Sequence, residues 1–526
     1  MAAIYVVVIA LGNTHAWSGS DAGGKVATLR WMDQHHSLKP DVGYWAARWD
    51  PTGEHHPLIY TTKHGDQWVQ VTSLPFVYAG LPLWRLAGTA GILLIPLAGS
   101  LLAAYGARRL SIALGSPNGW WAFWLVGLGA PMLFYAGDFW EHSMAVGLAL
   151  VALAFAVEGG VWRTLAAGVV LGLAAILRTE VLVYAAAIGG AMLFVADERR
   201  AWLRRPIRIV TLAIGFGAVY AANTIVEHAV LSAGLRYSRA GGNVTAAGSG
   251  LGSRLRDGVL TAVGLFSDDT NKAFAVGGVL VVVLLVVAAV ALGRRIPSLS
   301  ARAAGVTAAA LYGVRFASVG FVPGFFPTTP VSAAALAKPA TARQRAIVVA
   351  AVVALPIVWA LEWRGQLLPQ WGGRYVLLSG ALLTVIGATA LESRPRTWAL
   401  VTLVGLALAV SAFGAVWHAQ RTRGVARAMT QIESAPRDAV IVSRIAHLAR
   451  EGGAWYGKHR WLNASGDDGT VQAASIAGQA GASRIDVVDL HETGHRPQAL
   501  GGWRVSGERL VPFLGFQLDV VSYRRA

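Results

Sequence analysis

The chain alternates long apolar runs with short polar segments. Phe274–Leu292 and Thr397–Val416 are two such runs, and at about 1.5 Å per residue each is long enough to cross a hydrocarbon layer of about 30 Å. This pattern predicts a mostly helical, polytopic membrane protein with about thirteen transmembrane helices. The predicted spans are 2–12, 86–105, 119–135, 142–158, 164–177, 181–196, 207–226, 274–292, 303–319, 324–337, 346–361, 375–391 and 397–417.

The first of these runs, Ala2–Gly12, is shorter than the others. Such a run is typical either of a signal-peptide core or of a short or N-terminally truncated first helix. It follows no basic leader and precedes no clean small-residue cleavage site. We therefore favour a short or N-terminally truncated first membrane helix.

Composition supports a membrane protein and argues against a nucleic-acid-binding one. Of the 526 residues, 55% are hydrophobic and only 14% are charged, against about 25% charged residues in soluble proteins. The net charge of +17 comes largely from arginines between the apolar runs, such as Arg108 and Arg109 or Arg199 and Arg200. Short basic loops of this kind mark the cytoplasmic side. The chain has no cysteine, which excludes disulfides and thiol chemistry.

The basic loops predict a cytoplasmic N-terminus and an extracytoplasmic tail beyond Arg421. Residues 1–424 would form the membrane domain, with a long outer loop at 13–83. Residues 425–526 would form a small extracytoplasmic α/β domain, whose predicted elements are strands Ala439–Val442 and Arg484–Val488, helix Ile445–Glu451 and loop His491–Gly502. The other predicted outer segments are Ala136–Ser143, His228–Asn271 and Glu362–Arg374.

Asp21 lies just beyond the first apolar run, beside Gly23 and Gly24. A carboxylate at the membrane–water boundary, where glycines allow close approach, fits a general base. It equally fits an N-cap for a following helix. Further along the loop, Leu29–His36 is predicted as a short interfacial helix. Position alone leaves the two interpretations open.

Three ionisable residues, Asp138, Glu141 and His142, form the predicted third-to-fourth helix turn. Ionisable groups at this depth favour a polar cavity, although Asp138 also suits a helix N-cap. Arg178 and Glu180 end the fifth span on the same side, where they suit an anion site or a structural ion pair equally.

Trp371, Arg374 and Tyr375 open a later span from outside. The planar guanidinium of an arginine suits phosphate, and free N–H groups at a helix start add to anion affinity. The alternative is an arginine at the interface with aromatic anchors.

The outer loop contains His55, His56 and Lys63. These residues and nearby acids leave a divalent metal possible, but their spacing matches no known site, and a solvated loop is favoured. No cofactor is predicted with certainty.

Together these motifs resemble the GT-C superfamily of glycosyltransferases, which use polyprenyl-phosphate-linked sugars. The similarity is greatest to protein O-mannosyltransferases and the lipid A aminoarabinose transferase. It covers about residues 1–420: an acid after the first helix (Asp21), a long outer loop, the acidic turn, and Arg374 within Gln370-Trp371-Gly372-Gly373-Arg374-Tyr375.

The resemblance implies transfer of a sugar from a polyprenyl-phosphate donor to an acceptor hydroxyl on the outer face, with inversion. Asp21 would be the base, and Asp138, Glu141 and His142 would complete the catalytic group. The donor phosphate would bind Arg374, Arg178 and Lys63. Predicted substrate contacts are Lys25, His55, His56, Glu180, Trp371 and Tyr375.

The implied partners are a lipid-linked sugar, membrane lipid and a glycan, lipid or protein acceptor of the cell envelope. The main alternative is a membrane transporter or lipid flippase, for which we expect charges deep within spans and broken helices at the midplane. Here the polar residues concentrate on one face. An inactive scaffold that displays the C-terminal domain stays open.

Overall fold

The computed structural model describes residues 1–194, 205–231, 250–262, 324–337, 341–361, 371–392, 398–493 and 499–526. The predicted spans 274–292 and 303–319 lie outside these residues. Helices dominate the described part, and a mixed sheet follows near the C-terminus.

The described helices are numbered here in chain order. They are α1 (Ala2–Leu11), α2 (Ser20–Gln34), α3 (Leu74–Ile92), α4 (Leu94–Ala113), α5 (Trp120–Leu128), α6 (Met132–Tyr135), α7 (His142–Glu158), α8 (Val161–Leu177), α9 (Val181–Phe194), α10 (Arg205–Leu231), α11 (Leu251–Ala262), α12 (Phe325–Thr328), α13 (Ser332–Ala337), α14 (Ala342–Leu361), α15 (Leu377–Glu392), α16 (Trp398–Ile432), α17 (Leu448–Glu451) and α18 (Gly466–Gln479).

Within the described residues, 4 helices are long and apolar enough to span a membrane, or 5 if α3 and α4, which bend by 71°, form one broken span. Their apolar side chains remain exposed on the outside of the bundle, for example Leu86 (81% exposed) and Ile225 (68% exposed), as expected for a surface that faces lipid. The chain is thus a helical membrane protein. The predicted count of thirteen spans is not confirmed. The long spans are Pro206–Leu231, Ala342–Leu361, Arg374–Glu392 and Leu403–Ile432, and the shorter apolar helices include Ala2–Leu11, His142–Glu158, Val161–Leu177 and Val181–Gly190.

Glycines set the close packing between α4 and α7. A Cβ atom at Gly99 would lie 2.4 Å from the backbone nitrogen of Met144, and one at Gly147 would lie 2.7 Å from the carbonyl oxygen of Gly99. Small residues allow membrane helices to approach closely, because dispersion contacts replace the hydrophobic effect in lipid. This contact holds the start of α7, and therefore the acidic turn before it, against α4.

The outer loop begins with a helix that starts earlier than the sequence pattern predicts. The predicted helix Leu29–His36 is observed as the longer α2, Ser20–Gln34. Gly23 and Gly24 lower the helix propensity of its first turns, which explains why the pattern placed its start too late. A hairpin of β1 (Thr61–His64) and β2 (Gln67–Gln70) follows.

The C-terminal domain is built on a 6-stranded sheet in the order β4-β3-β5-β8-β7-β6. Strands β3 to β5 are parallel, whereas β5 to β8 to β7 to β6 are antiparallel. Its strands are β3 (Ala439–Ser443), β4 (Arg460–Asn463), β5 (Arg484–Leu490), β6 (Ala499–Leu500), β7 (Trp503–Phe513) and β8 (Phe516–Arg525).

The two predicted strands of this domain are confirmed, with slightly longer bounds. The predicted helix Ile445–Glu451 is observed only as α17. The predicted loop His491–Gly502 is wrong in part, since it contains a 3₁₀ turn and the short strand β6. Gly501 and Gly502 have positive φ angles of 41° and 89°, and this glycine pair makes the tight turn that pairs β6 with β7.

The membrane and C-terminal parts share one helix and one core. Helix α16 continues through the predicted boundary at residues 424 and 425, and its Val425, Met429 and Ile432 pack into the core of the C-terminal sheet. The same core includes Tyr44 and Trp68 of the outer loop. The outer loop and the C-terminal domain therefore form one packed layer.

We expect Gly99→Val to lower the thermal stability of the detergent-purified protein, because its side chain would overlap the backbone of α7. Overpacking of this kind costs about 1–3 kcal/mol. Gly217→Val is the matched control, because nothing lies within 4 Å of a Cβ atom at Gly217 on α10. Equal melting temperatures for the two variants would contradict this account of the α4–α7 contact.

Candidate functional site

A cluster of charged side chains lies where the outer layer meets the helix bundle. Asp21 in the first turn of α2 is at its centre. The Arg374 guanidinium donates to Asp21 Oδ2 at 2.6 Å, and the Arg450 guanidinium of α17 donates to Asp21 Oδ1 at 3.1 Å. Burial alone would raise the pKa of Asp21, but Arg374, Arg450 and Lys25 outweigh burial and hold the pKa well below its usual range. Asp21 is therefore a firmly ionised carboxylate.

Two glycines direct Arg374 towards this carboxylate. Gly372 and Gly373 have φ angles of 73° and 64°, a region that favours residues without a side chain. A Cβ atom at Gly372 would also lie 2.4 Å from Pro131. The chain turns sharply at these glycines, and the 3₁₀ turn Arg374–Val376 then leads into α15.

Aromatic rings surround the Arg374 guanidinium. It lies 5.1 Å from the ring centroid of Trp140 and 4.7 Å from that of Tyr375, and it donates to the Tyr375 hydroxyl. Stacked guanidinium groups keep their positive charge while shedding water. The Arg374 side chain is only 7% exposed, and its Nε has no hydrogen-bond partner among the described residues.

A second ion-pair group lies beside the first. Lys25 Nζ lies 2.5 Å from Glu141, and Arg178 lies 3.2 Å from Glu141 and 2.9 Å from Glu180. All four side chains are largely buried. Two cations face two carboxylates here, so this group is internally neutral. The acidic turn and the Arg178–Glu180 motif are thus brought together.

A narrow cleft opens below these charges, between α7, α9 and α15. Its polar lining includes His142, Arg178, Glu180, Arg374 and Tyr375, and its other walls are apolar, formed by Ala145, Val146, Val181, Leu377 and Leu378. Neither ring nitrogen of the buried His142 has a hydrogen-bond partner among the described residues. The cleft therefore has two guanidinium groups and one carboxylate in its lining, together with apolar side chains.

Asp138 lies in a neighbouring network with Glu451. Ser18 donates its backbone N–H, at 3.2 Å, and its hydroxyl to the Asp138 carboxylate. Arg421 donates to the Ser18 carbonyl and, at 3.3 Å, to Glu451. Burial raises the pKa of Asp138 to about 6, and burial together with nearby Asp138 raises that of Glu451 to about 7, against the lowering effect of Arg421.

The other predicted site residues have partners elsewhere. Trp371 stacks on Phe134 behind the cleft, at 5.1 Å between ring centroids. His55 bonds to Asn463 and Gln472 of the C-terminal domain. The hydrogen bonds and aromatic contacts of these outer-loop residues fit a structural role, and their proposed contact with substrate stays a prediction.

His56 packs between Tyr44 and Trp68, with centroid distances of 4.8 Å and 5.2 Å. Lys63 donates to the carbonyl of Pro51 at 2.9 Å. Throughout the described ranges, no group of three or more His, Asp or Glu side chains is arranged to hold a metal ion.

The sequence pattern missed Arg450, Glu451, Ser18 and Arg421. Arg450 is 2% exposed and belongs to a single helical turn in a domain with no recognisable catalytic motif. One signal was present: Arg450 is followed by Gly452 and Gly453, as Asp21 is followed by Gly23 and Gly24. Such paired glycines indicate close backbone approach, but they do not identify each other as partners.

We expect Glu451→Gln to change how stability depends on pH. Because the pKa of Glu451 in the folded protein, about 7, exceeds the ordinary glutamate value of 4.5, the folded protein binds the proton more tightly. The free energy of unfolding therefore falls as pH rises from about 4.5 to 7, and the amide removes that loss. The melting temperature of Glu451→Gln relative to the native protein should rise by roughly a few degrees between pH 5 and 8. A difference that stays constant with pH would contradict the raised pKa.

Comparison with known proteins places the fold. No protein-family model and no curated protein matches the chain. Among solved structures, the apo oligosaccharyltransferase of Archaeoglobus fulgidus matches with a TM-score of 0.51 and 13% identity, over 93% of this chain and 69% of that one.

Two further structures are similar at lower scores. Archaeoglobus fulgidus AglB, in complex with an inhibitory peptide and a dolichol-phosphate, has a TM-score of 0.47 and 13% identity, covering 92% of this chain and 69% of its own. Cupriavidus metallidurans ArnT, bound to undecaprenyl phosphate, has a TM-score of 0.43 and 14% identity, covering 99% and 96%. Over the matched residues the chain has the fold of the archaeal oligosaccharyltransferase.

Proposed function

We propose that this protein is an integral-membrane glycosyltransferase. It moves a sugar from a polyprenyl-phosphate-linked donor to an acceptor hydroxyl on the outer face of the membrane, with inversion at the anomeric carbon. The acceptor is a glycan, lipid or protein of the cell envelope. The fold shared with an oligosaccharyltransferase supports the reaction class, and the assignment to a reaction rests on the charged cluster.

One observation supports the proposal above the others. The Asp21 carboxylate lies against Arg374, and Arg374 also lines the cleft. A proton acceptor and a phosphate-binding cation are therefore neighbours beside a cleft with apolar walls. A lipid-linked sugar phosphate needs this combination: its polyprenyl tail lies along the apolar walls, and its phosphate meets the guanidinium groups.

The charges balance through the proposed transfer. The donor is a phosphodiester with one negative charge. When the acceptor oxygen attacks the anomeric carbon, the bond from that carbon to the phosphate oxygen breaks, and the leaving phosphate gains a second negative charge. Asp21 takes the acceptor proton and loses its own charge. Negative charge thus moves from the carboxylate to the phosphate while the arginines stay in place, and they stabilise it in both positions.

This exchange also resolves a difficulty with Asp21 as a base. A carboxylate whose pKa is held this low attracts a proton weakly. The donor phosphate competes with Asp21 for Arg374, however, and each hydrogen bond that moves to the phosphate removes one cause of the lowered pKa. Asp21 becomes a stronger base only when the donor is present.

The remaining residues have supporting roles in this proposal. Glu141 holds Lys25 and Arg178 in position, and His142 with Asp138 orients the sugar or acceptor. Tyr375 and Glu180 line the cleft, and Trp371 stacks on Phe134. Lys63, His55 and His56 would reach substrate only through a change in the outer loop. A divalent metal is not required by the balance of charges above.

The proposed topology has about thirteen spans, a cytoplasmic N-terminus and an extracytoplasmic C-terminal domain. Arginine-rich loops on one side of the predicted spans support it. This arrangement puts Asp21 at the outer membrane surface, where a lipid-linked donor and an envelope acceptor meet.

We expect Asp21→Asn to reduce sugar transfer by about 10²–10⁴-fold, because the amide accepts no proton. The assay uses purified protein in liposomes and a panel of radiolabelled polyprenyl-phospho-sugars. Asp33→Asn is the matched control: Asp33 lies on the same helix and contacts Trp84 and Arg85 instead. Full transfer by Asp21→Asn would remove this residue from the role of base.

We expect Arg374→Lys to reduce transfer by about 10²-fold, because an ammonium group cannot contact Asp21, Tyr375 and a phosphate in one plane. The loss should appear in kcat, since the phosphate gains charge during the reaction. Steady-state kinetics against donor concentration measure it, with Arg85→Lys as the control. An unchanged kcat would contradict the role of Arg374 at the leaving group.

A further inference from the structure

We infer that the C-terminal domain supplies half of the donor-phosphate site, through Arg450. The inference rests on the proposed function, because it assigns a second phosphate ligand for the same reaction. It gives the C-terminal domain a direct part in binding the donor.

Charge counting distinguishes Arg374 and Arg450 from the other cations of the cluster. Lys25 and Arg178 are balanced by Glu141 and Glu180. Asp21 has one negative charge and contacts two guanidinium groups. With Arg374 alone, this group would be neutral. The addition of Arg450 gives the two ion-pair groups one excess positive charge, which matches the single negative charge of a phosphodiester.

Hydrogen-bonding capacity supports the same conclusion. Arg450 is 2% exposed, and its Nε and Nη1 have no hydrogen-bond partner among the described residues. A buried N–H without a partner costs free energy. Arg374 Nε is in the same condition. Two guanidinium groups that share one carboxylate and retain free donors make a site for an anion's oxygens.

Arg450 is placed in the site by a close backbone contact between Gly23 of α2 and the residues at the end of α17. A Cβ atom at Gly23 would lie 1.5 Å from the carbonyl oxygen of Arg450, and a Cβ atom at Gly453 would lie 2.1 Å from that of Gly23. Only glycines allow α2 and the end of α17 to come this close. The Arg450 side chain then reaches Asp21, and it lies over the Tyr60 ring at 5.1 Å.

The test compares the affinities of two probes, undecaprenyl phosphate and the corresponding polyprenol, for the full-length protein in nanodiscs. We expect the native protein to bind the phosphate more tightly than the alcohol. Arg450→Gln should weaken phosphate binding by about 10–100-fold, the value of hydrogen bonds to a charged group, and leave alcohol binding unchanged. The phosphate affinity of Arg450→Lys should lie between those of the native protein and Arg450→Gln.

Two further variants separate charge from domain docking. Arg30→Gln is the matched control, since Arg30 crosses the same junction to the carbonyl of Ala454 at 2.7 Å, and it should keep the preference for phosphate. Gly23→Ala leaves every charge in place but displaces Arg450, so it should lose that preference. Melting temperatures identify any variant that does not fold. If Arg450→Gln does not fold, the phosphate affinity of Arg450→Lys is compared with that of the native protein instead.

The outcomes distinguish this inference from the proposed function. If the native protein prefers the phosphate and Arg450→Gln or Arg450→Lys binds it equally well, Arg450 is not a phosphate ligand, and the proposed glycosyltransferase stands. If the native protein itself shows no preference for the phosphate, both the inference and the proposed donor are overturned. Equal losses in Arg30→Gln and Arg450→Gln would assign the effect to docking and overturn the inference.

Discussion

The structure depends on one shared carboxylate. Asp21 accepts hydrogen bonds from Arg374 of the helix bundle and from Arg450 of the C-terminal domain, residues that are 353 and 429 positions away along the chain. A partly buried carboxylate between two guanidinium groups is stabilised in its ionised form by both of them. The outer loop, the bundle and the C-terminal domain are therefore fixed relative to one another at the point where the chemistry is proposed.

Much of this arrangement could be predicted from local patterns. Apolar runs indicated a membrane protein, and arginine-rich loops assigned Asp21, Asp138, Glu141, Arg178 and Arg374 to one side of it. The contacts among Asp21, Glu141, Arg178 and Arg374 and their neighbours follow that assignment. The predicted topology was sufficient to bring these residues to one side of the membrane, because helix ends on that side lie near one another without any knowledge of the detailed packing.

The rest of the site could not be predicted, because it depends on long-range contacts that leave no periodic pattern in the sequence. Arg450 enters the cluster because two glycine backbones touch, and neither glycine pair identifies the other in sequence. His55 and His56 show the opposite limit. Their ring nitrogens and the nearby acids left a metal site possible and favoured a solvated loop, yet both side chains are buried, and His55 bonds to Asn463 of the C-terminal domain. Side-chain type indicates what a residue could do, whereas long-range packing decides whether it is placed to do it.

Helix α16 has a consequence for how the C-terminal sheet can move relative to the bundle. Its 35 residues extend for about 50 Å at 1.5 Å per residue, from the lipid-facing part of the bundle into the core of the C-terminal sheet, without a break. Because α16 is continuous, it forms a rigid connection between the helix bundle and the C-terminal sheet, with no hinge along this helix. Any change in the distance or angle between the sheet and the bundle would then require α16 itself to bend or tilt.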